Sequence, residues 1–428
     1  MSGSGDLVVR GATLLHLDPP GVERADVLVR GGRIAHVGVV DADIDAPELD
    51  AHDRWLMPGL VCGHTHLYSA LSCGMPVPAE PPTDFADMLG KVWWRLDRAL
   101  DPESVATSGL VGGVAALRAG VTTVVDHHAS PSFIEGSLEV LDESLGQVGV
   151  RRLLCYEVTD RGGPEEAAAG LEAHRGLLGR DDGTTAILIG AHAGFTLSDE
   201  TLRRCADLAR EAGTGLHIHV AEAVDDERRV GEHPVDRLAR LGALLPGSLL
   251  AHCVHVGPEH LARIADAGAW VSHQPRSNMN NGVGHAPVAD FGADTMLGTD
   301  GIGADLFAEL QAGYFRANEA GVGWSPARWL AALTSAARFA SGHLGVPLGR
   351  IEVGAGADLV VLDPDPGPPL TLTNLPAAML FRIGAAAVRD VVVDGRVALR
   401  DRRPSGVEVE ALDARARVAA RDLWGRMT

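Results

Sequence analysis

Lysine is almost missing from this chain. Lys91 is the only one, so arginine carries nearly all of the positive charge. Positive charge is scarce altogether: 37 Lys and Arg stand against 57 Asp and Glu, a formal net charge of −20. No basic cluster offsets that balance, which excludes nucleic acid as the partner. The five cysteines (Cys62, Cys73, Cys155, Cys205 and Cys253) have no C-x-x-C spacing. The first residues also lack a signal-peptide pattern, so reduced thiols in a cytoplasmic protein are expected. No stretch reaches the roughly 18 uninterrupted apolar residues of a membrane span, which excludes a membrane partner. Internal repeats and low-complexity linkers are absent too. What remains is ordinary globular composition, 46% hydrophobic and 22% charged over 428 residues. That is enough for one large α/β domain and a smaller companion.

Strand patterns come first at the two ends. Leu7–Arg10, Ala25–Val29 and Arg33–Gly38 alternate in strand fashion, and strand language returns in Ala357–Leu362 and Val388–Arg396. Short strands need partners, so residues 1–57 and 350–406 are expected to pair into one small β-sandwich domain. Between them, over 58–349, eight apolar runs alternate with helical stretches: Leu60–Gly63, Val121–Asp126, Val150–Tyr156, Ala186–Gly190, Gly215–Val220, Ser248–His252, Trp270–His273 and Thr295–Gly298. Helices such as Ser198–Ala212 separate several of them. Continuous apolar strands alternating with helices predict an α/β fold, a (β/α)₈ TIM-type barrel. Residues 407–428 read as a terminal helix with an Arg-rich exposed face.

The chemistry-bearing residues stand where those strands end. The run Leu60–Gly63 delivers His64-Thr65-His66 into a turn, and side chains two apart on a strand share a face. His219, Glu222, His252 and Asp300 each follow a later apolar run. Imidazoles and carboxylates spread over strand ends describe a catalytic divalent metal site, whereas a structural zinc site is a compact cysteine-rich knot. Lys91 lies in the helix-like stretch Met88–Trp94, the wrong setting for a lysine bridging two ions at a strand end. One metal ion is the economical reading.

The ordered set Pro58-Gly59-Leu60, His64-Thr65-His66, His219 with Glu222, Ala251-His252-Cys253 and Gly298-Thr299-Asp300 resembles the amidohydrolase superfamily, in its cytosine deaminase/chlorohydrolase branch. The runs His64–Ala70 and Ser277–Gly284 are most similar to the SsnA-type aminohydrolases within it. The resemblance covers the whole chain, including the split β-rich ends, and implies that the barrel is distorted. It further implies that His64, His66, His219 and Asp300 hold the ion, zinc first and iron as the other ion that imidazole and carboxylate suit. His217 shares the strand face of His219; the spacing to Glu222 favours His219 as ligand and puts His217 deeper in the barrel.

By the same resemblance the catalytic residues are Glu222, His252 and Asp300: Glu222 moves protons, His252 orients the nucleophile, and Asp300 accepts the water's proton. Expected substrate contacts are His192, His273, Arg276, Trp93 and His127. His127 is the nominee from Asp126-His127-His128, one of which should face the cavity. Arg276 has two readings, a clamp on a substrate carbonyl or carboxylate and a structural salt bridge. Trp93, Trp94, Tyr68 and Met75 are expected to roof the pocket. The implied activity is a mononuclear metal-dependent aminohydrolase that releases ammonia from a planar N-heterocycle of purine, pterin or pyrimidine type. Glu222 together with His252 favours this over a chlorohydrolase, and with Asp300 over a non-catalytic ligand-binding homologue; a cyclic-amide ring-opening hydrolase with the same machinery stands as the alternative that product mass separates. The partner is a small heterocyclic substrate, and a homodimer is the expected assembly.

Overall fold

The computed structural model describes residues 5–427 apart from 77, 79 and 181. Both chain ends enter one nine-stranded sheet. Leu7–Leu17, Pro20–Arg30 and Arg33–Gly38 run as an antiparallel meander. Trp55–Pro58 lies parallel to the first of these and antiparallel to Leu359–Leu362, which joins the two ends. Val388–Val393, Arg396–Arg400 and Arg403–Pro404 extend the sheet. Its apolar residues, among them Leu7, Val9, Leu14, Val27, Leu359 and Val361, form a core cluster of their own. The first strand runs well beyond the Leu7–Arg10 read from the pattern. At Gly11 (φ +70°) the register shifts between Val9 and Ala12, so a bulge interrupts the alternation and the strand resumes beyond it.

All eight middle strands form, in two parallel sheets that give a TIM-barrel-like α/β domain. The four-stranded sheet holds Leu60–Thr65, Val121–His128, Arg151–Tyr156 and Thr185–Ile187. The five-stranded sheet holds Ile189–Ala193, Leu216–Val220, Leu249–His252, Trp270–His273 and Thr295–Leu297. The strand expected over 186–190 is therefore divided at Leu188 between the sheets. At that seam Leu188 N donates to Leu154 O at 3.0 Å. His174 Nε2 accepts from Tyr156 N and Gly190 N, both at 3.0 Å, and stands in for ladder bonds. At the opposite seam Thr299 N and Asp300 N both donate to His64 O, at 2.8 and 3.0 Å.

The helices that cover the sheets start and stop where local chemistry dictates. Asp101 caps Pro102–Arg118 through a capping box with Ser104, and Ser198 caps Asp199–Ala212, which ends at Gly213 with φ +66°. The terminal helix Val409–Arg426 buries Leu412, Ala419 and Leu423. Its Trp424 Nε1 donates to Leu71 O at 2.9 Å, and Arg426 Nε donates to Ala99 O at 2.7 Å. It thus braces the short helices Leu67–Leu71 and Trp94–Ala99, which follow the first barrel strand. Among the described residues no helix is long and apolar enough to cross a membrane.

Candidate active site

Strand ends from both sheets meet at one point. His66 Nε2 lies 3.1 Å from His219 Nε2 and 3.1 Å from Asp300 Oδ1, and His64 Nε2 is 3.5 Å from the same oxygen. Donors about 2.0–2.1 Å from a tetrahedral ion stand about 3.3 Å apart, so the spacing suits a single bound cation. The far side of each ring is engaged. His66 Nδ1 donates to the His127 carbonyl at 2.6 Å and His219 Nδ1 to the His192 carbonyl at 2.7 Å, while His64 Nδ1 and His217 Nε2 share a hydrogen bond at 2.8 Å. The two carbonyl bonds fix the tautomer that turns a lone pair inward, the arrangement of metal-bound imidazoles. His64 Nε2 is buried, and its one close charged contact is the 3.5 Å approach to Asp300 Oδ1. His217 lies one layer deeper, as its place on the strand predicts. Ser277 donates its hydroxyl to Asp300 Oδ2 and leaves Oδ1 facing the histidines.

The electrostatics agree with that geometry. Burial holds His64 down at about 3 and His219 well below the usual histidine range, so both stay neutral. Burial opposes charge on His66 as well, but its hydrogen bond to Asp300 raises it to about 9. Burial likewise opposes charge on Asp300, which the bonds from His64 and His66 nonetheless hold well below the ordinary carboxylate range. Beside the Asp300 carboxylate the cluster favours positive charge.

Glu222 and His252 stand beside it. Glu222 Oε2 is 3.5 Å from His252 Nε2, and Asn281 Nδ2 donates to Glu222 Oε1 at 3.4 Å. Burial, reinforced by the Asp300 charge, raises Glu222 well above the usual carboxylate range. It therefore keeps a proton to give. His252 is oriented twice, by its Nδ1 bond to Asn278 Oδ1 at 2.8 Å and by its backbone N–H on Gln274 Oε1 at 3.0 Å. Its Nε2 is buried without a hydrogen-bond partner. Ala221 (φ +49°), His252 (+73°), Cys253 (+47°) and Asp300 (+53°) all adopt the left-handed region. Such strain in residues with a Cβ persists where surrounding structure enforces it, and it gathers at functional sites.

A cavity reaches down to this cluster, with His66, His219, Glu222, His252 and Asp300 among its lining residues. Of the substrate contacts nominated from the sequence, His192 and Trp93 line it, with Trp94 and Tyr68. The others sit elsewhere. Arg276 is not a lining residue: its Nε donates to Glu309 Oε1 at 2.6 Å and its Nη2 to the Ile302 carbonyl at 2.8 Å, the salt-bridge reading. His273 packs edge-on against Phe291, centroids 5.6 Å apart. None of Asp126, His127 and His128 reaches the cavity. His127 points inward but lies beneath the floor, held by Glu157 Oε2 at 3.2 Å and the His217 carbonyl at 3.0 Å. Asp126, one residue earlier on the strand, accepts from Leu67 N at 2.7 Å, and His128 bonds Ser130 Oγ at 2.9 Å. Met75 is not among the lining residues. Lys91 pairs with Asp87 at 2.8 Å, outside the cavity lining.

The amidohydrolase family profile matches residues 55–398. This chain belongs to the amidohydrolase family. The amidohydrolase is 28% identical over 437 residues to the 5'-deoxyadenosine deaminase of Methanosarcina mazei, covering 99% of each chain. It is 31% identical over 443 residues to the 5-methylthioadenosine/S-adenosylhomocysteine deaminase of Haloarcula marismortui, covering 98% of this chain and 99% of that one. Among solved structures, an adenosine deaminase from Xanthomonas campestris with bound zinc superposes with a TM-score of 0.85 at 25% identity, covering 98% of both chains. An atrazine chlorohydrolase from Arthrobacter aurescens, complexed with zinc, shares the fold at a TM-score of 0.82 and 22% identity, covering 97% of this chain and 100% of that one.

Several lining residues of this amidohydrolase escaped the sequence reading: Phe85, Asp97, Glu157, Phe195, Asp226 and Asn281. Glu157 was within reach, because it directly follows the strand Arg151–Tyr156, where barrel enzymes place functional groups. Burial opposes its charge, yet His192, His127 and Arg161 hold its carboxyl well below the usual range. Asp97 gave no such signal. It sits on a helix, bonded to Arg161 Nη2 at 2.7 Å, and burial pushes it up to about 7 despite that partner.

Proposed function

We propose that this amidohydrolase is a mononuclear, zinc-dependent deaminase of a planar amino-substituted N-heterocycle, with an adenosine-type nucleoside as the leading substrate. The observation that carries the reading is the convergence of Glu222, His252 and Asp300 with His64, His66 and His219 at the cavity floor. The deaminase names of relatives that align over nearly the full chain support the same chemistry and the adenosine ring. His64, His66, His219 and Asp300 would hold the ion, which, when bound, supplies the Lewis acidity that brings a water's pKa toward neutrality. Asp300 accepts the proton of the attacking water. Glu222 delivers its proton to the ring nitrogen beside the amino-bearing carbon, and His252 steadies the oxygen as the C–O bond forms. Glu222, reprotonated from the new hydroxyl as the C=O forms, passes that proton to the amine as the C–N bond breaks; Asp300 returns its own proton to Glu222, and ammonia leaves. Trp93 and His192, lining the walls, would hold the ring.

In the same reading the two parallel sheets are arcs of one distorted (β/α)₈ barrel over 58–349. Residues 1–57 with 350–406 form a composite β-sandwich unit, and 407–428 the helix that braces the roof.

The test is ammonia release by the zinc-loaded protein across adenosine, 5'-deoxyadenosine, methylthioadenosine, pterin and cytosine, with product mass recorded. Deamination exchanges an amino group for a hydroxyl, whereas ring opening adds a whole water. Glu222→Gln should lower kcat by about 10²–10⁴-fold, the usual worth of a general acid–base. Equal turnover in the two proteins would remove the mechanism.

A further inference from the structure

Five carboxylate side chains line the cavity: Asp97, Glu157, Glu222, Asp226 and Asp300. Among the described residues no lysine or arginine lines it. The reaction uses Glu222 and Asp300, but Asp97 and Glu157 have no part in it. They form a side wall with Arg161, whose Nη2 lies 2.7 Å from Asp97 Oδ2 and 3.6 Å from Glu157 Oε1. One cation behind two carboxylates leaves that wall acidic.

The wall is also under-satisfied: its acceptors face the cavity bare, while Arg161 Nη1, likewise buried without a partner, is not among the lining residues. Asp97 is 2% exposed, and its Oδ1 is buried with no hydrogen-bond partner. Glu157 Oε1 has only long contacts, to Arg161 and to His192 Nε2 at 3.7 Å. Buried acceptors left bare beside a cavity call for donors from whatever fills it. The arginine best placed in the sequence to meet a substrate carboxylate, Arg276, is engaged by Glu309 instead. Arg229 stacks over Phe195 at 5.3 Å but is exposed and does not line the cavity.

We propose that the Asp97–Glu157 wall is a specificity device that receives N–H or O–H hydrogens of an uncharged or cationic substrate and rejects amino-heterocycles bearing a carboxylate or phosphate. This rests on the deaminase reading and narrows it. Of the substrates named for the relatives, 5'-deoxyadenosine meets the requirement, and S-adenosylhomocysteine, with its carboxylate, does not.

Binding separates this proposal from the reaction itself. The full-length zinc-loaded Glu222→Gln protein is titrated by calorimetry with two matched pairs, adenosine against AMP and pterin against pterin-6-carboxylate. The titrations are run at pH 8, above the value of about 7 to which burial raises Asp97. A neutral member should bind at least ~30-fold more tightly than its anionic counterpart, as like charges brought together dictate. Anionic members that bind equally well, or no binding by either neutral member, overturn the proposal. In Glu157→Gln and Asp97→Asn, made on the same background, the neutral-to-anionic affinity ratio should fall by about tenfold. A purely structural role would leave that ratio unchanged, and an unchanged ratio in both variants sinks the assignment. Ammonia release by the wild-type protein is scored separately: a retained charge preference without ammonia refutes the reaction and not the wall.

Discussion

Asp300 carries two tasks on one carboxylate. Oδ1 faces His64 and His66 and Oδ2 accepts from Ser277, so the group is gripped on one side and offered on the other. Asp300→Asn replaces an anion by a neutral amide. It should leave zinc well below one per chain by elemental analysis and lower turnover by at least ~10²-fold. Ser277→Ala keeps the anion and loses only its support, so zinc affinity should fall by about 10–100-fold, the usual effect of removing a ligand's own partner. If both variants bind zinc as the wild type does, Asp300 is not a ligand. Asp300 could be found from the sequence because it ends a strand in a family motif. Ser277 opens a run that resembles the family, but its bond to Asp300 could not be read there, because it enters from a helix after the neighbouring strand. Of the two readings of Arg276, the clamp gives way to the salt bridge for a related reason. Its position at a strand end is real, but buried Glu309 on another helix captures its charge, and long-range pairing of that kind leaves no local trace in a sequence.

Strands and helices follow from local pattern until one of them must serve two sheets. The apolar run over 186–190 predicts one strand, but the chain breaks at Leu188 and hands over from one sheet to the other. His174 repairs the break by accepting two backbone N–H groups on Nε2 while Nδ1 faces the Leu171 carbonyl at 3.3 Å. An imidazolium cannot accept, and burial accordingly lowers His174 to about 4. The folded pKa lies below the unfolded value of about 6.5, so between them the unfolded chain binds more protons. Stability from His174 is therefore complete above pH 6.5 and lost as pH falls toward 4, by up to about 3 kcal/mol. Urea midpoints measured from pH 7 to 4.5 should drop more steeply for the wild type than for His174→Gln. Parallel curves would deny the seam its pH sensitivity.

At the scale of the whole molecule, the terminal sheet and the barrel are held to one another by charge buried far from the cavity. Arg151, at the start of a barrel strand and 1% exposed, donates from Nε and Nη2 to Asp358, which is 2% exposed, and from Nη2 to Asp394 at 2.9 Å. Asp358 immediately precedes the strand that pairs with Trp55–Pro58, so the bond ties the joined chain ends to the sheet beneath the site. The sequence supplied both strands but not the bond between them, for it spans some two hundred positions and uses residue types that are ordinary on any surface. Burial decides its worth. Two charges sealed from water attract strongly, but removing one leaves the other desolvated and unpaired, at about 3–5 kcal/mol. Arg151→Leu should lose about that much stability in denaturant titration while retaining zinc, because no cavity residue touches Arg151. Removing both charges, as Arg151→Leu with Asp358→Asn, should recover part of the loss, since the stranded carboxylate is gone. If the single variant is as stable as the wild type, the junction is held by its apolar strands alone.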